Sequence, residues 1–171
     1  GRLREFHQFG IEVFGSNDAY VDAEVINVGM TLLQSLGIKN LELRINSVGC
    51  PTCRKEYNNK LKAYLEPKLQ ELCKFCQDRY NTNPLRILDC KEEKCKRNLE
   101  DVPIMLDNLC ADCKNHFERL KKGLDIIGLD YIVDPKIVRG LDYYTKTAFE
   151  IISNDIGAQG TVCGGGRYDG L

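Results

Sequence analysis

The chain has 171 residues, of which 43% are hydrophobic and 29% charged, so it can form one globular domain or a larger domain with a smaller companion. Its net charge is −1, from 24 basic and 25 acidic residues, and this balance gives no sign of a nucleic-acid partner. No apolar run approaches the roughly eighteen residues of a membrane span, and no signal-peptide pattern opens the chain. We expect a soluble, cytoplasmic protein with no membrane partner, cut at both ends from a longer chain.

The first fifteen residues predict a long antiparallel strand that follows a short loop and turns one face to a polar cavity. Arg2, Arg4, Gln8 and Glu12 make the segment too polar for a strand that is buried on both faces. An exposed edge strand with solvated charges is the alternative.

A helix and a second strand are predicted next. Asn17 or Asp18 can cap the helix, and Gly37 can end it in the left-handed conformation. The apolar residues of this helix recur at helical spacing and are Val21, Val25, Val28, Leu32 and Leu36. Residues 41–46 then alternate between apolar and polar side chains, which is typical of a half-buried strand.

From Cys50 to about Asn115 the chain becomes polar and contains eight of the nine cysteines and four of the five prolines. A helix is predicted over residues 54–65, ended or restarted by Pro67. We interpret residues 49–116 as a small, mainly helical inserted domain. The flanking residues 1–48 and 117–171 are expected to form one core with a shared sheet.

The eight cysteines fall into four pairs whose spacing favours metal binding. Three pairs are C-x-x-C, and nineteen residues separate the first of them from the second. Two residues between thiolates let both sulfurs reach one ion, and four thiolates complete the tetrahedron of a structural zinc. Two such sites are predicted, with the pairing left open, from Cys50, Cys53, Cys73, Cys76, Cys90, Cys95, Cys110 and Cys113. Reduced thiols or a redox pair are the alternative.

Beyond the cysteines the core pattern returns. A helical stripe of Phe117, Leu120, Leu124 and Ile127 ends at Gly128. Strands are predicted over residues 131–133, 145–152 and 160–162. His116 is expected on an exposed helical turn, and His7 has no visible partner, so neither predicts acid–base chemistry.

Two motifs near the end of the chain predict a pocket. Arg139 follows Pro135 in a loop that enters a strand, and a guanidinium there can grip a carboxylate or phosphate. Gly164, Gly165 and Gly166 let a small substrate lie against the backbone, with a structural turn as the alternative. They do not form a phosphate loop, because no Gly-Lys-Ser or Gly-Lys-Thr is present. The ninth cysteine, Cys163, is expected to be a packing residue.

These motifs resemble a known family. Residues 1–15, GRLREFHQFGIEVFG, resemble part of motif 2 of class II aminoacyl-tRNA synthetases in its histidyl version. RGLDYYTKTAFE from residue 139 and GGGRYDGL from residue 164 are similar to the two histidine-specific motifs of histidyl-tRNA synthetases. SVGCP from residue 47 and NPLRILDCK from residue 83 resemble parts of the bacterial insertion domain. The resemblance covers the whole chain.

The resemblance implies an α+β fold with a partial class II antiparallel sheet, flanked by helices and interrupted by the cysteine-rich insertion. It implies activation of histidine by ATP with Mg²⁺, followed by transfer to the acceptor end of tRNA(His), in an enzyme that is a homodimer at full length. Arg139 would be the catalytic residue, holding the histidine carboxylate and the α-phosphate. Histidine would also contact Gln8, Glu12, Tyr144, Tyr168, Gly164, Gly165 and Gly166. ATP would also contact Arg2 and Arg4.

The sequence also allows functions other than that of a complete ligase. This chain lacks the family's motif 1, main motif 2 arginine, motif 3 and anticodon-binding domain, so by itself it is expected to be inactive. A regulatory subunit of ATP phosphoribosyltransferase shares the fold without ligase activity, but it usually lacks the insertion and the RGLDYY arginine. An independent zinc module that binds RNA or protein is a third possibility, although a basic patch is hard to find.

Overall fold

A computed structural model describes residues 4–139, 143–156 and 160–171. The helices are α1 (Ala19–Ser35), α2 (Pro51–Leu65), α3 (Lys74–Thr82), α4 (Glu93–Asn98) and α5 (Ala111–Ile127). The strands are β1 (Leu41–Gly49), β2 (Ile132–Val133), β3 (Thr145–Ser153) and β4 (Thr161–Arg167). Short 3-10 turns cover Glu66–Glu71, Pro84–Ile87 and Met105–Asn108. None of the helices in these ranges combines the length and apolarity that crossing a bilayer requires.

The four strands form one sheet in the order β2-β1-β3-β4. β3 is antiparallel to both β1 and β4, as predicted, and the two-residue β2 adds a parallel edge beside β1. Helices α1 and α5 pack together and cover one face of the sheet through a core that includes Ile26, Ile45, Leu120, Leu124 and Ile151. The predicted α+β fold of an antiparallel sheet flanked by helices is confirmed.

Helix α1 begins where predicted but buries a different face. The Asp18 side chain accepts a hydrogen bond of 2.9 Å from the Tyr20 amide and caps the helix. The buried residues are Ala19, Ala23, Ile26, Met30 and Leu33, and not the predicted valine and leucine stripe. A Cβ on Gly123 would lie 3.0 Å from the Ala23 Cβ, so small residues let α1 and α5 approach closely. Both sets of residues recur at helical spacing. The buried set is the one whose first two members are alanines, because α1 packs closely against α5.

Helix α5 follows the predicted stripe. Phe117, Leu120 and Leu124 are buried, whereas Ile127 is 41% exposed. The helix ends at Gly128, whose φ of 77° is in the left-handed region that favours glycine.

The strand predicted over the first fifteen residues is absent from residues 4–15, the part of this segment that the structure describes. Residues 4–18 contain no regular secondary structure, and Phe6, Phe9 and Phe14 are 68–75% exposed. A strand needs a neighbour to satisfy its backbone groups, and this segment pairs with none of the described strands. Its polar and aromatic pattern therefore does not by itself produce a strand.

A second hydrophobic cluster lies within the cysteine-rich segment and includes Tyr57, Leu61, Leu65, Leu72 and Ile87. Helix α5 connects the two clusters, since Cys113 belongs to the second cluster and Phe117 to the first. One continuous helix therefore passes through residue 116, where the inserted domain is predicted to end.

Candidate functional site

The glycine run lies inside β4, which excludes the turn alternative. A Cβ on Gly164 would lie 2.7 Å from Arg139 Nη1, and a Cβ on Gly166 would meet the Thr147 carbonyl and lie 3.0 Å from the Tyr144 ring. Only glycine at these two positions lets Arg139 and Tyr144 lie against the strand. Gly165 lies on the opposite face, where a Cβ would be 2.8 Å from the Phe149 ring.

Arg139 lies over the sheet and has guanidinium N–H groups available to bind a ligand. Its Nη1 is 3.6 Å from Glu150 Oε1, and its guanidinium carbon is 5.2 Å from the centre of the Tyr144 ring. Its side chain is 22% exposed, and its buried Nε has no hydrogen-bond partner among the described residues. An unpaired buried donor is costly, so the site is suited to an acceptor such as a carboxylate or phosphate oxygen.

Three tyrosines form the wall beside Arg139. The ring centres of Tyr143 and Tyr144 are 4.8 Å apart, and Tyr168 lies edge-on to both at 6.0 and 6.4 Å. Burial and a hydrogen bond with Glu12 raise the pKa of Tyr168. Glu12 and Tyr168 also line an open cleft of about 560 Å³ beside α1, whereas Arg139 and the other two tyrosines do not line it. Glu12 and Tyr168 thus meet although they are far apart in the sequence.

The remaining predicted ligands of histidine and ATP are less constrained. Gln8 and Arg4 are exposed in the irregular N-terminal segment. Arg2 lies outside the described residues. Tyr143 and Glu150 complete the site but were not assigned roles from the sequence, although both belong to the motif that begins at Arg139.

A buried polar network supports the site from the helical side. Asp22 Oδ1 accepts a 2.7 Å bond from Arg167 Nη2, and Asp22 Oδ2 lies 2.8 Å from His116 Nε2 and accepts a 2.5 Å bond from the Thr147 hydroxyl. Burial favours a raised pKa at Asp22, but hydrogen bonds from His116, Arg167 and Thr147 outweigh it and lower the pKa. The expected exposure of His116 is wrong, because its partners lie on α1 and β3 and its residue is only 7% exposed.

Arg167 supports this network rather than a ligand. Its side chain is 7% exposed and also donates to Asp169 Oδ1 and to the carbonyls of Ser16 and Asp18. These bonds fix the chain immediately before Tyr168. Arg167 is therefore engaged in structural ion pairs with Asp22 and Asp169.

A second support holds the loop before Arg139. Asn46 is 1% exposed, and its Nδ2 donates to the carbonyls of Ile137 at 2.9 Å and Pro135 at 3.3 Å. The Asp134 amide donates to the Ile45 carbonyl at 3.0 Å. The end of β1 therefore determines where the Arg139 loop begins.

The eight paired cysteines assemble into two groups of four, which resolves the pairing left open by the sequence. Within each group all four sulfurs lie within 4.8 Å of one another. The neck cluster comprises Cys50, Cys53, Cys110 and Cys113, and the distal cluster comprises Cys73, Cys76, Cys90 and Cys95. Cys163 lies apart from both and packs against the main core, as expected.

The geometry of both clusters fits a tetrahedral ion. The sulfurs of Cys50 and Cys53 are 3.5 Å apart, those of Cys50 and Cys110 are 4.0 Å apart, and those of Cys73 and Cys90 are 3.8 Å apart. Zinc–sulfur bonds of about 2.3 Å place tetrahedral ligands about 3.8 Å apart. Backbone amides also donate to sulfur, from Cys110 to Cys53 at 3.1 Å and from Cys73 to Cys95 at 3.2 Å. Such bonds orient and stabilise thiolate ligands.

One thiol in the neck cluster already favours ionisation. Burial raises the pKa of Cys50, but hydrogen bonds from the Cys53 amide and thiol and from the Thr52 amide outweigh it and lower the pKa to about 6. Burial raises the pKa of Cys113 and Cys76. Crowded sulfurs cannot all carry charge without a cation.

Comparison with known proteins places these features in context. The family model described as histidyl-tRNA synthetase matches residues 1–171. The chain is 69% identical over 171 residues to a histidine–tRNA ligase of Caldanaerobacter subterraneus and 56% identical to one of Clostridioides difficile. Each alignment covers 100% of this chain but 41% of the ligase, so the chain spans less than half the length of these relatives.

Solved structures agree with the fold. The crystal structure of apo Staphylococcus aureus histidyl-tRNA synthetase matches with a TM-score of 0.69 and 42% identity, covering 91% of this chain and 38% of that protein. The histidyl-tRNA synthetase from Nostoc matches with a TM-score of 0.52 at 19% identity, covering 91% and 42% of the two chains, and supports the fold alone.

Proposed function

Because this chain belongs to the histidyl-tRNA synthetase family, we propose that it forms the histidine-binding part of the catalytic region of a histidine–tRNA ligase. The regulatory role in an ATP phosphoribosyltransferase complex has less support, since the high-identity relatives are named as ligases. The observation that carries the proposal is Arg139, a largely buried guanidinium beside a tyrosine wall, whose Nε has no hydrogen-bond partner in the part of the chain that the structure describes.

The groups around Arg139 match the parts of histidine and ATP. Glu12 would bind the histidine ammonium with Gln8, and Tyr144 and Tyr168 would line the imidazole pocket. Gly164 and Gly166 would contribute by letting Arg139 and Tyr144 lie against β4, where both could contact the substrate. Gly165 would contribute by letting the strand pack on Phe149, since it lies on the other face.

In the proposed activation step, a carboxylate oxygen of histidine attacks the α-phosphorus of ATP. The bond from phosphorus to the bridging oxygen breaks, and pyrophosphate leaves with the electron pair. Arg139 would donate to both the carboxylate and the α-phosphate, which stabilises the charge that develops on the phosphate oxygens. Arg2 and Arg4 would contact ATP. Magnesium would arrive with ATP, because it keeps phosphate and water oxygens as most of its ligands.

The second step transfers histidine from the adenylate to the acceptor end of tRNA(His) and releases AMP. We propose a cytoplasmic, homodimeric full-length enzyme in which residues 49–116 form an inserted domain. The separate hydrophobic cluster within the cysteine-rich segment supports this division.

The activity can be tested with the full-length protein and with the 171-residue chain as a matched control. The full-length protein is expected to charge tRNA(His) with histidine and to exchange pyrophosphate into ATP only when histidine is present. The isolated chain is expected to do neither, because it spans only 41% of the length of its relatives. Full-length protein that lacks histidine-dependent exchange would contradict the ligase proposal.

We also propose that the neck and distal clusters each bind one Zn²⁺ through four thiolates. Within each cluster the four sulfurs lie within 4.8 Å of one another, close enough for a single tetrahedral ion to bind all of them. The cysteine-rich segment is largely polar outside its small core, and metal binding can supply much of its folding free energy.

Metal analysis of the purified chain should give about two zinc equivalents, one for each tetrahedral site. Chelation should unfold the cysteine-rich segment, as reported by loss of far-UV circular dichroism. A Cys163→Ser variant is the matched control and should retain both equivalents, because Cys163 lies outside both clusters. A metal-free chain that keeps its structure in chelator would rule out the zinc sites.

A further inference from the structure

We propose that the neck cluster is a zinc clamp that positions the histidine site, whereas the distal cluster stabilises only the inserted segment. This inference rests on the proposed ligase function and on zinc binding. It assigns different roles to two sites that have the same ligand set.

The neck cluster lies where the chain enters and leaves the inserted segment. Cys50 follows the last residue of β1, and Cys53 is in the first turn of α2. Cys110 caps α5, and Cys113 is in its first turn. One ion bound here would tie the end of β1 to the start of α5, two points sixty residues apart in the sequence. Loss of that ion would release both.

The start of α5 is connected to the tyrosine wall through a series of buried polar contacts. His116 is one helical turn beyond Cys113 and contacts Asp22 and Thr147. Asp22 in turn holds Arg167, which immediately precedes Tyr168. The position of the first turn of α5 therefore affects the position of Tyr168.

The end of β1 is connected to the loop before Arg139 by hydrogen bonds from Asn46. Asn46, four residues before Cys50, holds the loop at residues 135–137 through the two carbonyls that its side chain contacts. Gly49 joins strand and cluster with a φ of 65°, and a Cβ there would lie 2.7 Å from the Cys53 Cβ. The connection is short and closely packed, so movement of Cys50 would be passed to β1 and the Arg139 loop.

Among the described residues, the hydrogen bonds of the distal cysteines all stay within the inserted segment. The four cysteines lie between residues 73 and 95, and Cys76 and Cys95 are buried in the second hydrophobic cluster. Cys90 borders a cleft of about 470 Å³ that Ile137 and Glu150 also line, but it makes no hydrogen bond to either of these residues. None of the four belongs to a helix or strand that carries a candidate histidine-binding residue. The distal cluster is therefore a control with identical ligand chemistry.

The test compares single variants of the full-length ligase. Cys110→Ser and Cys90→Ser should each lose about one zinc equivalent, since four thiolates complete each site. Histidine-dependent pyrophosphate exchange should fall about 10- to 100-fold in Cys110→Ser, with a higher KM for histidine and a lower kcat, because the substrate contacts are displaced. Exchange should stay within about threefold of wild type in Cys90→Ser. Cys110→His, which rebuilds a Cys3His site, should restore both zinc and exchange.

Several outcomes would overturn the clamp. Normal exchange in zinc-depleted Cys110→Ser would do so, as would equal losses in Cys110→Ser and Cys90→Ser. If Cys110→Ser unfolds, Cys110→His and Cys90→His carry the test under mild chelation, which removes zinc from the weakened site first. Pyrophosphate exchange should then fall on chelation and recover when zinc is added in Cys110→His. In Cys90→His it should stay unchanged. Full-length protein that is active without zinc would refute the clamp and leave the ligase proposal intact.

Discussion

Replacing Arg139 by alanine in the full-length enzyme is expected to reduce histidine-dependent pyrophosphate exchange about 100- to 1,000-fold, the usual effect of removing a donor that stabilises transition-state charge. Among the described residues, Arg139 makes one long ion pair, 3.6 Å to Glu150, and its Nε has no hydrogen-bond partner, so its donors are available to a substrate. Arg139→Lys should recover little activity, because an ammonium cannot bind two oxygens side by side as a guanidinium does.

Arg119→Ala is the matched control for this experiment. Arg119 lies on α5, on the helical side of the sheet, where it pairs with Asp18 at 2.8 Å and is 42% exposed. Its loss should leave exchange within about twofold, because exposed ion pairs contribute roughly 0–1 kcal/mol and it does not contact the site. Near-normal exchange in Arg139→Ala would exclude the proposed catalytic role.

Replacing Asp22 by alanine is expected to destabilise the chain by about 3–5 kcal/mol, because it removes the buried carboxylate partner of Arg167 and leaves His116 and Thr147 without their shared acceptor. The side chains of Asp22 and Arg167 are 10% and 7% exposed, so water cannot replace the lost partner. The double variant Asp22→Ala/Arg167→Met should recover part of this loss, since it removes both charges. Urea-induced unfolding followed by circular dichroism measures each free energy.

Asp18→Asn provides the comparison for Asp22. Asparagine still caps α1, so only an exposed ion pair is lost and the free energy of unfolding should fall much less than in Asp22→Ala. If Asp22→Ala costs no more than Asp18→Asn, the buried network does not stabilise the fold.

The Asp22 effect should also depend on pH. Its pKa is lowered from the ordinary value of 3.8, so the carboxylate stabilises the folded state fully above that value. The advantage of wild type over Asp22→Ala should remain constant above it and decline as the pH falls through the lower folded-state pKa. Acid denaturation curves of the two proteins measure this difference.

Local sequence patterns determined several elements correctly. The stripe of Phe117, Leu120 and Leu124 predicted the buried face of α5, and Gly128 predicted its end. Alternation over residues 145–152 predicted β3. These predictions succeeded because the responsible interactions, helical periodicity, strand alternation and the conformational freedom of glycine, act between residues close in the chain.

Predictions that depended on distant partners fared less well. Helix α1 carries two apolar stripes, and its packing against α5 and the sheet decides that the face with Ala19 and Ala23 is buried. His116 resembled an exposed histidine because Asp22 and Thr147, its partners, are 94 and 31 residues away. The N-terminal segment has a strand-like composition, but a strand forms only when another strand accepts its hydrogen bonds.

The sequence by itself determined the chemical groups of this protein: the Arg139 motif, the glycine run and the four cysteine pairs, whose short spacings are set by local geometry. Only the tertiary structure decided that Gly164 and Gly166 face Arg139 and Tyr144 while Gly165 faces the core, because alternation along β4 assigns sides only once the sheet is packed. It also decided that Cys50 and Cys53 join Cys110 and Cys113, because that pairing depends on how the intervening chain folds back on itself.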